Sequence, residues 1–82
     1  MNSLTKKKSL EYYLLLKYPM SIYPEEEGGY TIMIPDLEGC MTQGETLEEA
    51  INNIDEAREL WIETVYYSSK KEIPSPSQRI RV

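Results

Sequence analysis

Apolar and polar positions recur with two different periods along the chain, and the change of period divides it into elements. Between Leu47 and Val65, apolar residues recur at steps of three and four, with acidic or amide residues between them. This period is typical of an amphipathic helix. The pattern predicts a helix that begins after Thr46 and ends near Tyr67, about 30 Å long at 1.5 Å per residue. Its predicted apolar face comprises Leu47, Ala50, Ile51, Ile54, Ala57, Trp61 and Val65.

The start of this helix has the sequence of a capping box, Thr46-Leu47-Glu48-Glu49. In this motif the Thr46 hydroxyl accepts a hydrogen bond from the Glu49 amide, and the Glu49 carboxylate accepts one from the Thr46 amide. The two glutamates also lie in the first turn, where the helix dipole favours negative charge. These features predict a well-defined helix start at this point.

Three short segments before the helix are predicted as strands, Met20–Pro24, Tyr30–Ile34 and Cys40–Gly44. The polar turn Glu25–Gly29 joins the first two into a hairpin, because its glycines can adopt positive φ angles. The segment Pro35–Gly39 forms a second tight connection. The predicted fold class is therefore α+β, with a three-stranded antiparallel sheet packed on one long helix.

The N-terminal residues predict a short additional helix. Leu4–Lys17 contains leucines and tyrosines among lysines, with Ser3 or Thr5 as the N-cap. Pro19 favours an extended residue before it and therefore ends this helix.

The C-terminal residues are predicted to be extended, because Pro74 and Pro76 exclude a helix. Gln78–Val82 is a candidate for a terminal strand. We therefore expect three regions in the chain, namely an N-terminal helical extension (1–17), an α+β domain (18–76) and a C-terminal tail (77–82).

Composition limits both the stability and the location of this domain. The chain has 82 residues, one cysteine and no histidine. A domain this small buries only about 60–65% of its unfolded surface, and it has neither an internal disulfide nor the commonest zinc ligand. Self-association remains as a source of stability, so we expect a homo-dimer or larger oligomer. The single cysteine favours a reducing cytoplasm.

Charge indicates the kind of partner. The formal net charge is −5 and the sequence pI is about 4.7. An acidic surface repels phosphate backbones and suits a basic protein, so direct binding to nucleic acid is not expected. The only candidate for a basic strand is Gln78–Val82, with Arg79 and Arg81. The longest apolar run, Tyr12–Leu16, is too short to span a membrane.

Residues capable of catalysis have simpler structural interpretations. A nuclease of the ribonuclease H type needs several carboxylates that converge on two metal ions, whereas Asp36, Glu38 and Glu25–Glu27 lie mainly in turns. The Asp36 side chain is expected to bond backbone within its own turn. Cys40 has no histidine to generate a thiolate and is expected to be a half-buried strand residue. No catalytic residue, cofactor site or metal ligand is predicted.

An ordered series of motifs covers residues 18–76, namely Gly28-Gly29-Tyr30, Pro35-Asp36-Leu37, Gly39-Cys40, Gly44-Glu45-Thr46, Glu49-Ala50 and Ile73-Pro74-Ser75-Pro76. Their order and spacing resemble the HicB antitoxin family. The resemblance implies a β-β-β-α-β domain with a partial ribonuclease-H-like fold. It also implies a non-enzymatic protein that binds and inhibits HicA, a small toxin that cleaves RNA. Many members carry a further C-terminal DNA-binding segment, so we expect this chain to contain only the toxin-covering part.

Several surfaces are candidates for the partner interface. Adjacent tyrosines at Tyr12-Tyr13 and Tyr66-Tyr67 cannot all be buried on one narrow helix face, and tyrosine is enriched at interfaces. The acidic helix face and the Glu25–Glu27 turn are equal candidates for contact with a basic toxin. An alternative is an orphan domain of the same family that binds a small molecule or another protein. The candidate interface residues are Glu25, Glu26, Glu27, Tyr30, Asp36, Glu38, Tyr66 and Tyr67.

Overall fold

The computed structural model describes residues 8–68 and 70–77. Its elements, in chain order, are α1 (Leu10–Leu14), β1 (Ser21–Pro24), β2 (Tyr30–Met33), β3 (Met41–Gly44) and α2 (Leu47–Ser68). This order confirms the predicted α+β fold with an additional short N-terminal helix. Residues 70–77 contain neither helix nor strand. The cap predicted at Ser3 or Thr5 and the strand predicted over Gln78–Val82 lie outside the described residues.

The three strands form one antiparallel sheet in the order β1-β2-β3. Ile22 is opposite Ile32, which in turn is opposite Thr42, so these side chains share one face of the sheet. Ile32 is fully buried in the core with residues of α2, which identifies this face as the one beneath the helix. The other face carries the row Tyr23, Thr31 and Gln43.

The core lies between this sheet and α2. Burying apolar side chains here supplies the main stabilisation, at about 1.5–3 kcal/mol for each large one. Partly buried residues of α1 and Ile73 pack against the edge of the same core. The central buried cluster comprises Tyr18, Ile32, Ile34, Leu37, Cys40, Ala50, Ile54 and Ile62.

Two residues of the predicted apolar face of α2 are exposed, which corrects the prediction. Leu47 and Ile51 are 41% and 42% exposed, whereas Ile62, outside the predicted face, is fully buried. The reason is that α2 lies over β2 and β3 and makes no close approach to β1. The apolar face of the helix therefore extends past the strands that cover it, and Ile22 of β1 is also exposed.

The first helix is shorter than predicted. Lys8 and Ser9 precede α1, and the Ser9 hydroxyl caps it by accepting a hydrogen bond from the Tyr12 amide at 3.2 Å. Arg58 of α2 holds the other end, because its Nη1 donates to the Leu14 carbonyl oxygen at 2.7 Å. A cation at this position satisfies a carbonyl that the end of a helix leaves unpaired.

The start of α2 confirms half of the predicted capping box. The Thr46 hydroxyl accepts from the Glu49 amide at 3.0 Å. The Glu49 carboxylate accepts from the Glu45 amide at 2.6 Å rather than from Thr46. The carboxylate thus reaches one residue further back than the standard motif and fixes the chain between β3 and α2.

Gly44 allows this junction to be tight. A Cβ atom at this position would lie 2.4 Å from the Ala50 nitrogen, so only glycine lets β3 approach the first turn of α2. Gly29 has a φ angle of +90°, and a Cβ there would lie 2.9 Å from the Gly44 oxygen. The hairpin turn is therefore held close to the start of α2.

Candidate protein-binding surfaces

The predicted interface residues lie at two ends of the sheet. The Glu25–Glu27 turn and Tyr30 lie where β2 begins, whereas Asp36 and Glu38 follow the end of β2. The four residues of β2 separate the two groups by about 13 Å at 3.3 Å per residue. Tyr66 and Tyr67 belong to the second group, because Trp61, about one and a half turns before them on α2, donates its indole N–H to the Glu38 carbonyl oxygen at 2.8 Å.

The first end carries an acidic pole, which we define as Glu25, Glu26, Glu27, Glu45 and Glu49. A hollow of about 370 Å³ is lined by Glu25, Glu45 and Glu49 together with glycines of the turn and of β3. The Glu25–Glu27 side of the turn borders a second hollow of about 400 Å³. The hairpin turn and the helix start are separate in sequence and converge here because Tyr30 pairs with Gly44.

Hydrogen bonds fix part of this pole. The Thr31 hydroxyl donates to Glu25 Oε2 at 2.6 Å, and Gln43 Nε2 donates to the Thr31 hydroxyl at 3.4 Å. This chain of contacts runs from β3 across β2 to the turn that follows β1, on the face opposite α2. The carboxylate of Glu25 is therefore held against the sheet, while the side chains of Glu26 and Glu27 are exposed.

At the other end, Asp36 binds the C-terminal segment rather than its own turn, which corrects the predicted role. Its two carboxylate oxygens accept hydrogen bonds from the Ser77 amide, at 2.8 Å, and from the Ser77 hydroxyl. The side-chain bond and then the backbone bond from Ser77 lower the pKa of Asp36 below its ordinary value. The turn itself is closed by backbone bonds, including Leu37 N–H to the Ile34 carbonyl oxygen at 3.0 Å.

Cys40 is buried and lies immediately before β3. Burial raises the pKa of its thiol, and the nearby positive charge of Arg58 only partly opposes this effect. The thiolate needed for nucleophilic attack is therefore disfavoured. Within residues 8–68 and 70–77, no three histidine, cysteine or acidic side chains gather as a set of metal ligands.

The four tyrosines form a continuous row across α1 and α2. Successive ring centroids of Tyr12, Tyr13, Tyr66 and Tyr67 are 5.2, 5.9 and 5.2 Å apart, all in edge-to-face geometry. Tyr12 and Tyr67 are exposed, and Tyr13 and Tyr66 are half-buried. The prediction that the adjacent tyrosines are not all buried is confirmed.

A third surface, which we call the α2–β3 groove, was not predicted from the sequence. It has a volume of about 590 Å³ and lies between the start of β3 and the C-terminal half of α2. Trp61, which the helical period predicts to pack in the core, is half-buried at the edge of the core, where it also lines this groove. A leucine at position 60, on the otherwise polar side of α2, is the signal in the sequence that indicates this surface. The lining includes Gly39, Met41, Ala57, Leu60, Trp61, Thr64, Lys70 and Lys71.

Within the part of the chain that the structure describes, neither α1 nor α2 combines the length and the apolar content that a membrane-crossing helix requires.

Comparison with known proteins gives consistent matches over most of the chain. A family described as "HicB_like antitoxin of bacterial toxin-antitoxin system" matches residues 18–81. A UPF0150 protein of Synechocystis sp. is 45% identical over 60 residues, which cover 73% of this chain and 81% of that protein. Antitoxin HicB 1 of Photorhabdus laumondii is 38% identical over 61 residues, or 74% of this chain and 39% of that protein. Antitoxin HicB of Escherichia coli K12 is 36% identical over 62 residues, or 76% and 44%. The chain thus matches less than half the length of these two antitoxins.

Proposed function

Because the chain belongs to the HicB-like antitoxin family of bacterial toxin–antitoxin systems, we propose that it binds and neutralises a small HicA-like toxin that cleaves RNA. The observation that carries this proposal is the family match over residues 18–81, which includes all three strands and α2. The proposed mechanism is steric and electrostatic. The acidic folded domain covers the surface with which the toxin binds RNA.

Charge supports the acidic pole as the contact surface. A protein that binds RNA needs basic residues to neutralise phosphates, and the pole presents five glutamates on one end of the domain. Opposite charges of this kind accelerate encounter between two proteins. The outward face of α2 is also acidic, but its glutamates are distributed along a helix of 22 residues. The pole therefore offers the denser negative surface.

A role without catalysis agrees with the chemistry of the candidate groups. Both oxygens of the Asp36 carboxylate accept hydrogen bonds from Ser77, and burial raises the pKa of the Cys40 thiol. The chain contains no histidine to act as a general base at neutral pH. Inhibition by simple coverage needs none of these groups.

The first test is co-purification with a basic protein of under about a hundred residues encoded by the neighbouring gene. Glu26→Lys combined with Glu27→Lys is expected to slow association with this toxin by about tenfold or more, since it replaces attraction by repulsion. The effect should weaken at high salt, because ions screen exposed charges. Surface plasmon resonance at two salt concentrations measures both quantities.

The matched control is Glu59→Lys combined with Glu63→Lys. This variant makes the same change of charge on the exposed outward face of α2. It should alter association by only a few-fold. A larger effect for the control than for the turn variant would indicate that the toxin contacts the outward face of α2 instead of the acidic pole. Absence of any co-purifying basic partner would contradict the antitoxin proposal for this chain.

A further inference from the structure

The first residues of β3 border the α2–β3 groove and belong to an edge strand. The sheet order β1-β2-β3 leaves one side of β3 without a neighbouring strand. The Ile34 amide bonds the Cys40 carbonyl oxygen at 3.0 Å. The next pair, Met33 and Met41, is therefore a non-bonded pair, because antiparallel pairs alternate. The N–H and C=O of Met41 thus point away from β2, along the side of β3 that is open.

Asn53 shows which side of α2 lies over this open edge. Its Nδ2 donates to the carbonyl oxygen of Gln43 at 2.8 Å, and the peptide groups of Gln43 also point away from β2. Leu60 and Thr64 lie seven and eleven residues after Asn53 and therefore share its side of the helix. The groove that they line is thus open toward the outer edge of β3. Because Asn53 occupies the edge at Gln43, an incoming strand can pair with β3 only near Met41.

The groove offers apolar surface on the helix side of this edge. Leu60 is 65% exposed on α2, and the half-buried Trp61 lines the groove beside it. In an added strand, the residue beside Met41 directs its side chain to the face opposite α2, and its two neighbours direct theirs toward α2. These two neighbours contact Leu60 and Trp61, so apolar side chains suit both positions.

Charge on the rim indicates the rest of the ligand. Trp61 donates to the carbonyl oxygen of Glu38, just before β3, and the Nζ of Lys71 lies 5.7 Å from the centre of the Trp61 ring. Lys70 and Lys71 therefore mark the end of the groove at which β3 begins. These lysines attract an acidic segment and repel a basic toxin. A strand antiparallel to β3 leaves the sheet at this end, so its acidic residues follow its apolar residues.

We propose that the α2–β3 groove binds an acidic, extended segment of a second protein partner, distinct from the toxin, by strand addition at Met41. The segment has two apolar residues separated by one residue and followed by acidic residues. It runs antiparallel to β3, because one of its residues then exchanges both backbone hydrogen bonds with Met41. The acidic pole lies at the other end of β3, so the toxin and this partner can bind at the same time.

Fluorescence anisotropy with a labelled synthetic peptide tests the proposal. In this probe two valines flank one threonine, and three aspartates follow. The probe should bind the full wild-type chain, whereas a peptide with lysines in place of the aspartates should bind at least about tenfold more weakly. Methylation of the threonine amide nitrogen should abolish binding, because this N–H pairs with the Met41 carbonyl oxygen. Methylation of the second valine nitrogen, which points away from β3, should change the affinity by only a few-fold.

A charge reversal on the rim tests the role of the lysines. Lys70→Glu combined with Lys71→Glu should weaken binding of the aspartate peptide by about tenfold or more, since it replaces attraction by repulsion. The matched control is Lys8→Glu combined with Lys17→Glu, which makes the same change of charge near α1. This control should alter the affinity by only a few-fold.

A truncation on α2 tests the apolar wall of the groove. Leu60→Ser should weaken peptide binding by about tenfold, because it removes the most exposed apolar side chain of the groove. The matched control is Leu15→Ser on the segment after α1, where the leucine is similarly exposed at 70%. This control should bind the peptide as the wild-type chain does. Circular dichroism should show native helix content in every variant.

Several results would overturn the proposal. These are no binding of the aspartate peptide, equal binding of the lysine peptide, or equal effects of the two methylations. A wild-type dimer that Leu60→Ser converts to a monomer in sedimentation equilibrium would assign the groove to a second copy. Weaker toxin binding by Leu60→Ser would assign it to the toxin. The Glu26→Lys, Glu27→Lys variant should still bind the peptide, so failure of toxin binding and failure of peptide binding are observed separately.

Discussion

Two threonines on neighbouring strands show how the surroundings of one hydroxyl determine its effect on stability. Thr42 is in the sheet face beneath α2, and its buried hydroxyl has no hydrogen-bond partner among the described residues. Thr31 is in the opposite face, and its buried hydroxyl donates to Glu25 at 2.6 Å. The same residue type therefore has opposite energetic roles in adjacent positions.

Replacement of each threonine by valine should change stability in opposite directions. Thr42→Val is expected to stabilise the domain by about 1 kcal/mol, because it removes a buried polar group without a partner. Thr31→Val should destabilise it by about 1 kcal/mol, because Glu25 loses its donor. Thermal unfolding measures both, and each change corresponds to roughly 4–8 °C in a domain of this size. A lower melting temperature for Thr42→Val would show that its hydroxyl has a partner in solution.

At the scale of elements, the sequence predicted the existence and the order of the helices and strands. It did not predict how far α2 extends beyond the sheet that it covers. The three strands end within one residue of their predicted C-terminal limits, and α2 ends at Ser68, one residue after its predicted end near Tyr67. The exposure of Leu47 and Ile51 could not be predicted, because periodicity identifies the apolar face of a helix but not the width of the sheet beneath it. The role of Arg58 in capping α1 depends on a contact between residues 44 positions apart.

The C-terminal segment is an element without regular structure that two side chains hold to the domain. Tyr18 donates its hydroxyl to the Pro74 carbonyl oxygen at 2.7 Å, and Asp36 binds Ser77. Burial, and then the negative charge of Asp36, raise the pKa of Tyr18 to about 12. The raised pKa makes this attachment sensitive to alkaline pH.

Tyr18 links folding to protonation at high pH. Its folded-state pKa of about 12 lies above the ordinary value of 10.0, so its contribution to stability is complete below pH 10 and is lost as the pH rises toward 12. Tyr18→Phe should remove this part of the pH dependence and cost about 1 kcal/mol at neutral pH, the value of the lost hydrogen bond. Urea unfolding between pH 8 and about 12 measures the effect. Tyr67→Phe, at an exposed tyrosine, is the control and should retain the wild-type profile.

At the scale of the whole molecule, charge and apolar surface are separated. The acidic pole lies where β3 ends and α2 begins, and the α2–β3 groove lies where β3 begins and α2 ends. The sequence predicted the sign of the net charge and the acidic turn. It could not predict that Glu45 and Glu49 join Glu25 in one hollow, since this depends on the register that pairs Tyr30 with Gly44. It also could not predict that Lys70 and Lys71 line the same groove as Trp61.

This separation has a consequence for function. A toxin that binds the acidic pole, as proposed above, leaves the α2–β3 groove uncovered. Coverage of the toxin then depends on the domain alone and requires no catalytic group.

The most direct test of the central claim is protection of RNA from the HicA-like toxin that we propose as the partner. RNA cleavage by the purified toxin is measured with increasing amounts of the chain. Cleavage should stop near one chain per toxin molecule, and the Glu26→Lys, Glu27→Lys variant should require a clear excess to give the same protection. Undiminished cleavage at a several-fold excess of the folded wild-type chain would contradict the account.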